Sequence, residues 1–212
     1  MTLRVALLHH DDAAEAGRIV RDVATGLRER GHTPVVIGSH RAPTQRSVED
    51  GIAVVRVSCL PEGALRKRGF TGPLTHLPLA LRTLHGGDFD LVHAFTAVDA
   101  AAALRWRRAT GRPVVFTCGE TIDRARVASA RLRLRLLSAA IEDSDALVAP
   151  SEPAREALRY WMAADAQTIA PNDGAGHERL YRGTLSRTRR AGLRTDVAAP
   201  DNPRQATGTV GA

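Results

Sequence analysis

Residues 88–120, DFDLVHAFTAVDAAAALRWRRATGRPVVFTCGE, decide the fold, because they predict a strand, a helix and a second strand in succession. The apolar run 89–94 predicts the first strand, and the alanine-rich stretch that begins at Thr96 predicts a helix that ends at Gly111. The apolar residues 114–117 predict the second strand. A connection of this length indicates a parallel pair of strands with a right-handed crossover.

Polar residues follow both strands of this unit. His93 and Thr96 lie at the end of the first strand, and Thr117, Gly119 and Glu120 follow the second. Ligands of open parallel sheets bind outside the carboxyl ends of the strands, so these residues are predicted to face a ligand. His93 is the first candidate for a catalytic role, and a buried histidine bonded to the backbone is the alternative. Glu120 could bind a ligand hydroxyl or be a plain acid at a helix start.

The rest of the chain continues the alternation of strands and helices. Strands are predicted at 3–8, 33–37, 52–57, 146–149 and 167–170, and helices at 14–30, 74–84, 123–143 and after the N-cap Ser151. Residues 39–51 are polar and predict a loop. This alternation predicts an α/β fold for residues 1–170, a Rossmann-like three-layer α/β/α sandwich around a mostly parallel sheet. Residues 171–212 hold few large apolar groups and predict a disordered tail, with a short helix near 178–189 as the one exception.

The loop after the first strand contains further candidates. His9, His10 and Asp11 are predicted to line the ligand cleft, and Gly17 with Arg18 could meet a phosphate at the start of the first helix. No metal site is expected, because adjacent ligands rarely converge on one ion and no distant cluster completes them. The chain has neither a G-x-G-x-x-G after its first strand nor a P-loop sequence, which argues against dinucleotide and P-loop sites.

The amino-acid composition limits the classes of partner that this protein is expected to bind. The net charge of +7 comes almost wholly from arginine, since Lys67 is the only lysine, and the arginines are mixed with acids as on a solvated surface. Aromatic residues make up 4% of the chain and no recognition module is present, so no nucleic-acid partner is expected. The arginine-bearing stretch 124–135 could lie on anionic lipid, and a solvated helix face is the alternative.

The cysteines and the amino terminus indicate the compartment. Cys59 and Cys118 lie in or beside apolar strands, which favours reduced thiols over a disulfide. Residues 1–4 lead directly into a strand without a signal peptide, and no apolar run is long enough to span a membrane. The sequence therefore predicts a cytoplasmic protein, with peripheral contact at the inner membrane face left open.

Several segments together resemble the N-terminal domain of GT-B glycosyltransferases of the family 4 type. LRVALL followed by GRIVRDVATGLRERGHTPVVI resembles the opening strand, helix and second strand of that family, and DGIAVVRV resembles its third strand. DFDLVHAF resembles the strand that ends in H-x-H, and GRPVVFTCGE resembles the strand that leads into T-x-H-G. SDALVAPSEPAREAL and IAPND resemble a later strand with its helix and the P-N-G before the second domain. The resemblance covers residues 3–172.

The resemblance implies transfer of a sugar from a nucleotide-sugar to a sugar or lipid-linked acceptor, with retention of anomeric configuration and without a metal. No cofactor is implied beyond the nucleotide-sugar co-substrate. His93, the loop from His9 to Gly17 and the loop from Thr117 to Glu120 would face the cleft between two domains.

The positions at which the chain departs from the family motifs bear on function as much as the matching positions do. Phe95 and Cys118 replace two histidines of the family, and Asp173 replaces the glycine of P-N-G. No two glutamates have the spacing of the paired glutamates in the family's donor domain, so a truncated chain that requires a separate donor-binding domain or chain is expected. The alternatives are a non-catalytic binding or assembly domain, an inactive remnant, and a flavodoxin-like nucleotide-binding module.

Overall fold

A computed structural model describes residues 1–10, 14–60, 72–118 and 131–197 of the chain. The strands are β1 Arg4–His9, β2 Thr33–His40, β3 Gln45–Glu49, β4 Ile52–Ser58, β5 Leu91–Ala94, β6 Val114–Thr117, β7 Ala146–Ala149 and β8 Gln167–Thr168. The helices are α1 Ala14–Glu29, α2 Leu77–His85, α3 Ala97–Thr110, α4 Arg131–Asp143, α5 Glu152–Met162 and α6 Gly174–Val197, and a 3₁₀ helix, Gly72–His76, precedes α2.

The eight strands form one sheet in the order β3-β4-β2-β1-β5-β6-β7-β8. All neighbouring pairs are parallel except β3 and β4. The order changes direction at β1, which pairs with β2 on one side and β5 on the other. In such sheets the crevice outside the carboxyl ends of the central strands is the usual ligand site. The predicted Rossmann-like α/β fold is confirmed.

The sheet separates two hydrophobic cores because successive strand residues point to opposite faces. In β1, Ala6 and Leu8 belong to the core that α2, α3, α4 and α5 cover. Val5 and Leu7 belong to the core on the other face, which α1 and α6 cover. The structure is therefore the predicted three-layer sandwich. Among the described residues, no helix is both long and apolar enough to cross a membrane.

The local signals for helix ends are confirmed. Thr96 is the N-cap of α3, and its side chain accepts a hydrogen bond from the backbone N–H of Asp99. Ser151 caps α5 in the same way through Ala154. Gly31 and Gly111, which follow α1 and α3, have φ angles of 78° and 68°, in the left-handed region that glycine adopts without strain.

The prediction of a loop over the polar stretch 39–51 is wrong in part. Residues 45–49 form β3, which pairs antiparallel with β4 at the edge of the sheet. Asp50 and Gly51 connect the two strands with φ angles of 50° and 75°. Two central residues with positive φ define a type I′ hairpin turn, and Asp-Gly is a preferred sequence for it. The sequence pattern does not indicate this strand, because four of its five residues are exposed and carry no apolar alternation.

The expectation of a disordered segment from residue 171, with only a short helix near 178–189, is wrong as far as residue 197, because the helix there is longer. Residues 174–197 form α6, which packs against α1. Tyr181 and Leu180 are buried in the core on that face, and the polar side chains of His177 and Thr184 are buried with them. Burial of this stripe stabilises the helix despite its low apolar content. Residues 198–212 lie outside the described part of the chain.

Candidate functional site

The parallel register brings the carboxyl ends of β1, β5 and β6 to one edge of the sheet. His10 directly follows β1, Thr96 follows β5, and Thr117 ends β6. This edge therefore assembles three of the residues predicted from sequence.

His10 and Thr96 meet at the carboxylate of Asp99, in the first turn of α3. His10 Nδ1 lies 3.0 Å from Asp99 Oδ2, and the backbone N–H of His10 donates to the same oxygen at 3.1 Å. The hydroxyl of Thr96 donates to Asp99 Oδ2 at 2.6 Å and lies 2.9 Å from His10 Nδ1. The cluster fixes both the position and the ring orientation of His10, whose side chain is 13% exposed.

His76 completes this cluster, and sequence reasoning missed it. It ends the 3₁₀ helix before α2, and its Nε2 lies 3.0 Å from Asp99 Oδ1. The rings of His76 and His10 are nearly parallel, with 5.0 Å between their centroids. In the sequence, Asp99 has only the spacing of a helix-capping partner for Thr96. The Thr96-x-x-Asp99 spacing placed its carboxylate beside the edge, but no local pattern connects it to His76.

Asp99 stays ionised in this cluster. Burial by itself raises the pKa of the carboxyl group, but the charge and hydrogen bond of His10, with those of His76, outweigh burial and hold the pKa well below its usual range. A buried carboxylate in contact with two imidazoles can orient them for hydrogen bonding, hold a proton between them, or bind a cation.

His93 lies in a different environment from the one predicted. It is in β5 with a fully buried side chain. Its Nε2 lies 2.6 Å from the hydroxyl of Thr117, and its Nδ1 lies 2.6 Å from the phenol oxygen of Tyr181. Burial, assisted by the charge of His177, lowers the pKa of His93 well below its ordinary value. His93 is therefore a neutral imidazole with both nitrogens in contact with protein groups, and a catalytic role for it stays a prediction.

Two residues of α6 complete the surroundings of His93 and were also missed from sequence. Tyr181 is fully buried, and burial raises the pKa of its phenol. The ring of His177 lies 5.8 Å from that of His93 between centroids. Phe95, which stands where the family has a histidine, stacks on His93 at 4.2 Å. The helix α6, which is longer than the short helix predicted near 178–189, thus covers this part of the sheet.

The other predicted residues are distributed as follows. His9 and Gly17 line a cavity of about 150 Å³ between α1 and the side of the sheet formed by β2 and β4, together with Arg21, Ser39 and Arg56. Arg18 is exposed and is not among the residues that line this cavity. A phosphate contact by Gly17 and Arg18 stays a prediction. Asp11, Gly119 and Glu120 lie outside the described residues.

Comparison with known proteins gives the following matches. A family model described as Glycosyltransferase Family 4 matches residues 16–172. No curated protein sequence matches the chain. Among solved structures, a fragment of sucrose-phosphate synthase from Thermosynechococcus elongatus matches with a TM-score of 0.62 and 15% identity, over 85% of this chain and 98% of the fragment.

Two longer structures match over part of their length. A longer chain of the same sucrose-phosphate synthase has a TM-score of 0.61 and 16% identity, over 79% of this chain and 47% of that one. Anabaena HepE, in complex with UDP and glucose, has a TM-score of 0.54 and 17% identity, over 79% of this chain and 44% of HepE. The present chain thus spans a little under half of each. At these identities the likeness is one of fold, the GT-B glycosyltransferase fold.

Proposed function

The chain belongs to glycosyltransferase family 4, and we propose that it supplies the acceptor side of an enzyme that transfers a sugar from a nucleotide-sugar to an acceptor. The acceptor is a sugar or a lipid-linked molecule, and the anomeric configuration is retained. No metal ion acts on the donor phosphates. A donor-binding domain, on the same or another polypeptide, holds the nucleotide-sugar, because no two glutamates of these 212 residues have the spacing of the family's paired glutamates.

The observation that carries this proposal is the cluster of His10, Thr96 and Asp99 at the carboxyl edge of the central strands. This edge is where an open parallel sheet binds its ligand. Asp99 holds the ring of His10 through Nδ1, so the partly exposed imidazole is preorganised for hydrogen bonding to an acceptor hydroxyl. The Anabaena HepE structure with UDP-glucose supports a nucleotide-sugar as the donor class.

Peripheral contact with an anionic membrane would bring a lipid-linked acceptor to this edge. The supporting observation is the start of α4, where Arg131, Leu132, Arg133, Leu134 and Arg135 are all exposed. Leu132 and Leu134 are 45% and 39% exposed, and the helix is first buried at Leu137. Exposed arginine and leucine are residue types of helices that lie in the interface of an anionic bilayer.

The proposal is tested by incubating the full chain with nucleotide-sugars and a panel of sugar and lipid-linked acceptors, with EDTA present. Each reaction is run alone and with a family 4 donor domain added as a separate polypeptide. We expect product only in the mixture, with retained configuration by proton NMR, and a loss of product with His10→Ala. His40→Ala, a change at a histidine in β2 that bonds the carbonyl of Pro43, is the matched control. Product that forms equally well with His10→Ala would contradict the proposal.

A non-catalytic binding or assembly domain is the second candidate. It is favoured by the burial of His93, whose two nitrogens contact Thr117 and Tyr181. In that case the chain forms a stable complex with its donor-side partner, and no combination of donor and acceptor gives product. Tight binding of a flavin with no affinity for nucleotide-sugars would instead support a flavodoxin-like module.

A further inference from the structure

We propose that His10, His76 and Asp99 form a binding site for one divalent transition-metal ion of the zinc class. His10 follows β1, His76 precedes α2 and Asp99 lies in the first turn of α3. Each residue offers one ligand atom, and these atoms all lie within 4.8 Å of one another. The site shares His10 and Asp99 with the proposed acceptor contact, but its test is ion binding and does not require sugar transfer. The sequence analysis expected no metal site, because these ligands come from three separate segments.

The distances fit one ion shared by the three side chains. His10 Nδ1 lies 3.0 Å from one oxygen of Asp99, and His76 Nε2 lies 3.0 Å from the other. Zinc bonds to imidazole nitrogen and carboxylate oxygen measure about 2.0–2.2 Å, so two ligand atoms of a tetrahedral ion are roughly 3.4 Å apart, a few tenths of an ångström more than these contacts. Side-chain shifts of that size would place one oxygen of Asp99 and one nitrogen of each imidazole around a single ion.

The charge of the site favours a cation. The buried carboxyl group of Asp99 contacts His10 through one oxygen and His76 through the other, and it binds a metal ion as a carboxylate. His76 and Asp99 are each 2% exposed, and the desolvation of their surroundings strengthens the attraction for a positive ion. In the metal-bound site both imidazoles are neutral, and the positive charge of the ion balances the charge of the Asp99 carboxylate.

The chemistry of the ligands selects the class of ion. Two imidazole nitrogens with one carboxylate suit zinc and the neighbouring transition metals, whereas magnesium and calcium prefer oxygen ligands throughout. The hydroxyl of Thr96 donates to Asp99 Oδ2 at 2.6 Å and holds this oxygen in place. Such supporting hydrogen bonds commonly orient the ligands of metal sites.

The same distances also suit a cluster in which each imidazole donates its proton to Asp99. A metal ion replaces those protons, because an imidazole nitrogen binds metal only when it is deprotonated. The two arrangements are distinguished by direct binding, since a hydrogen-bonded cluster with no metal affinity gives no saturable uptake of ions.

The test uses the full chain without a histidine tag and stripped of metal by dialysis against a chelator. Zn²⁺ and Co²⁺ are titrated by calorimetry, the Co²⁺ complex is recorded by visible absorption, and Tm is measured with and without ion. We expect one ion per chain, visible bands of imidazole-ligated Co²⁺, and a rise in Tm on binding. No saturable binding by the wild-type chain overturns the proposal, and this outcome does not depend on any variant.

The variants locate the site. His76→Gln keeps a side-chain donor for Asp99 but removes a good zinc ligand, so we expect the loss of the bound ion. His85→Ala removes an exposed imidazole whose Nδ1 bonds the carbonyl of Leu81 in the same helix, and it should bind like the wild type. If His76→Gln does not fold, His10→Gln gives the same readout. Undiminished binding in a folded His76→Gln or His10→Gln chain overturns the assignment.

Discussion

The phenol oxygen of Tyr181 lies 2.6 Å from Nδ1 of His93, although 88 positions of sequence separate the two residues. Both side chains are fully buried, and Nε2 of the same imidazole contacts the hydroxyl of Thr117. This chain of three polar groups connects α6 to the two strands β5 and β6. The C-terminal helix is therefore fixed to the sheet by a specific hydrogen bond as well as by its apolar contacts.

The first prediction concerns this hydrogen bond. Tyr181→Phe leaves one nitrogen of His93 buried without its partner, and the cost of such a group is about 1–3 kcal/mol. We expect the free energy of unfolding in urea to fall by that amount. Tyr160→Phe, at a tyrosine that is 78% exposed, should change it by less than about 0.5 kcal/mol. Equal stability of Tyr181→Phe and the wild type would show that the bond does not anchor α6.

The second prediction concerns pH. Burial lowers the pKa of His177 from 6.5 to about 4, against the opposing effects of Asp173 and the carbonyl of Ala170. Between pH 6.5 and 4 the unfolded chain therefore binds a proton that the folded chain excludes. Stability is fully present above pH 6.5 and falls as pH decreases through this window, by about 1.4 kcal/mol per pH unit for each such group. His93 acts in the same direction because burial also lowers its pKa.

The measurement is urea unfolding of the wild type and His177→Leu at intervals from pH 7 to pH 4. His177→Leu removes one titrating group, so its stability should depend less steeply on pH. Asp99 contributes in a different window, because its lowered pKa causes loss of stability only as pH falls below its ordinary value of 3.8. Parallel pH profiles for the two proteins would contradict the assignment of His177.

A third prediction concerns the crossing of α1 and α6. A Cβ atom added at Gly174 would lie 2.7 Å from the carbonyl oxygen of Gly26 and 2.9 Å from its Cα, which is too close for an unstrained contact with backbone. Gly174→Ala should therefore destabilise the fold by about 1–3 kcal/mol. Gly183→Ala is the matched control in the same helix, since its Cβ would meet nothing nearer than the Arg187 side chain at 3.6 Å.

The two alanine variants should have opposite signs. Gly183→Ala should stabilise the protein by about 0.5–1 kcal/mol, because alanine is the better helix former and no contact opposes it. Thermal unfolding followed by circular dichroism gives both values in one experiment. A destabilisation of similar size in both variants would mean that α6 does not tolerate added volume on either face. The close contact with Gly26 would then not explain the effect at Gly174.

The sequence predicted the parts of the fold that local patterns encode. The strands around residues 88–120 are continuous apolar runs, and Thr96, Gly31 and Gly111 are local signals for helix ends. The sequence predicted only a short helix near 178–189, and it missed the full length and the burial of α6 for a physical reason. Its buried stripe is His177, Leu180, Tyr181 and Thr184, which has helical spacing, but two of the four are polar and become buried through tertiary contacts that sequence does not show.

The candidate site was only partly predictable for the same reason. His10 and Thr96 follow strands, and strand ends can be located from the apolar pattern. Asp99 is recognisable as a capping partner, whereas the contact of His76 with it depends on how the segment before α2 lies over the sheet. His93 follows the same strand-end rule, but the rule does not reveal that α6 covers it.

The last prediction concerns membrane contact through the exposed residues 131–135. Each arginine near an anionic surface contributes on the order of 1 kcal/mol at low salt, so the triple change Arg131→Gln, Arg133→Gln and Arg135→Gln should weaken vesicle binding about 100-fold. Co-sedimentation with vesicles of phosphatidylglycerol and phosphatidylcholine measures the effect. Binding should also weaken with added salt, because the Debye length shortens.

The matched control removes the same charge elsewhere on the surface. Arg105, Arg108 and Arg159 are exposed residues of α3 and α5, and their triple change to glutamine leaves the start of α4 intact. If contact is local to residues 131–135, this control binds vesicles like the wild type, since apolar insertion of Leu132 and Leu134 accompanies the charge attraction there. Equal weakening in both triple variants would indicate an effect of net charge alone, and no binding by the wild type would indicate that this turn of α4 is a solvated helix face.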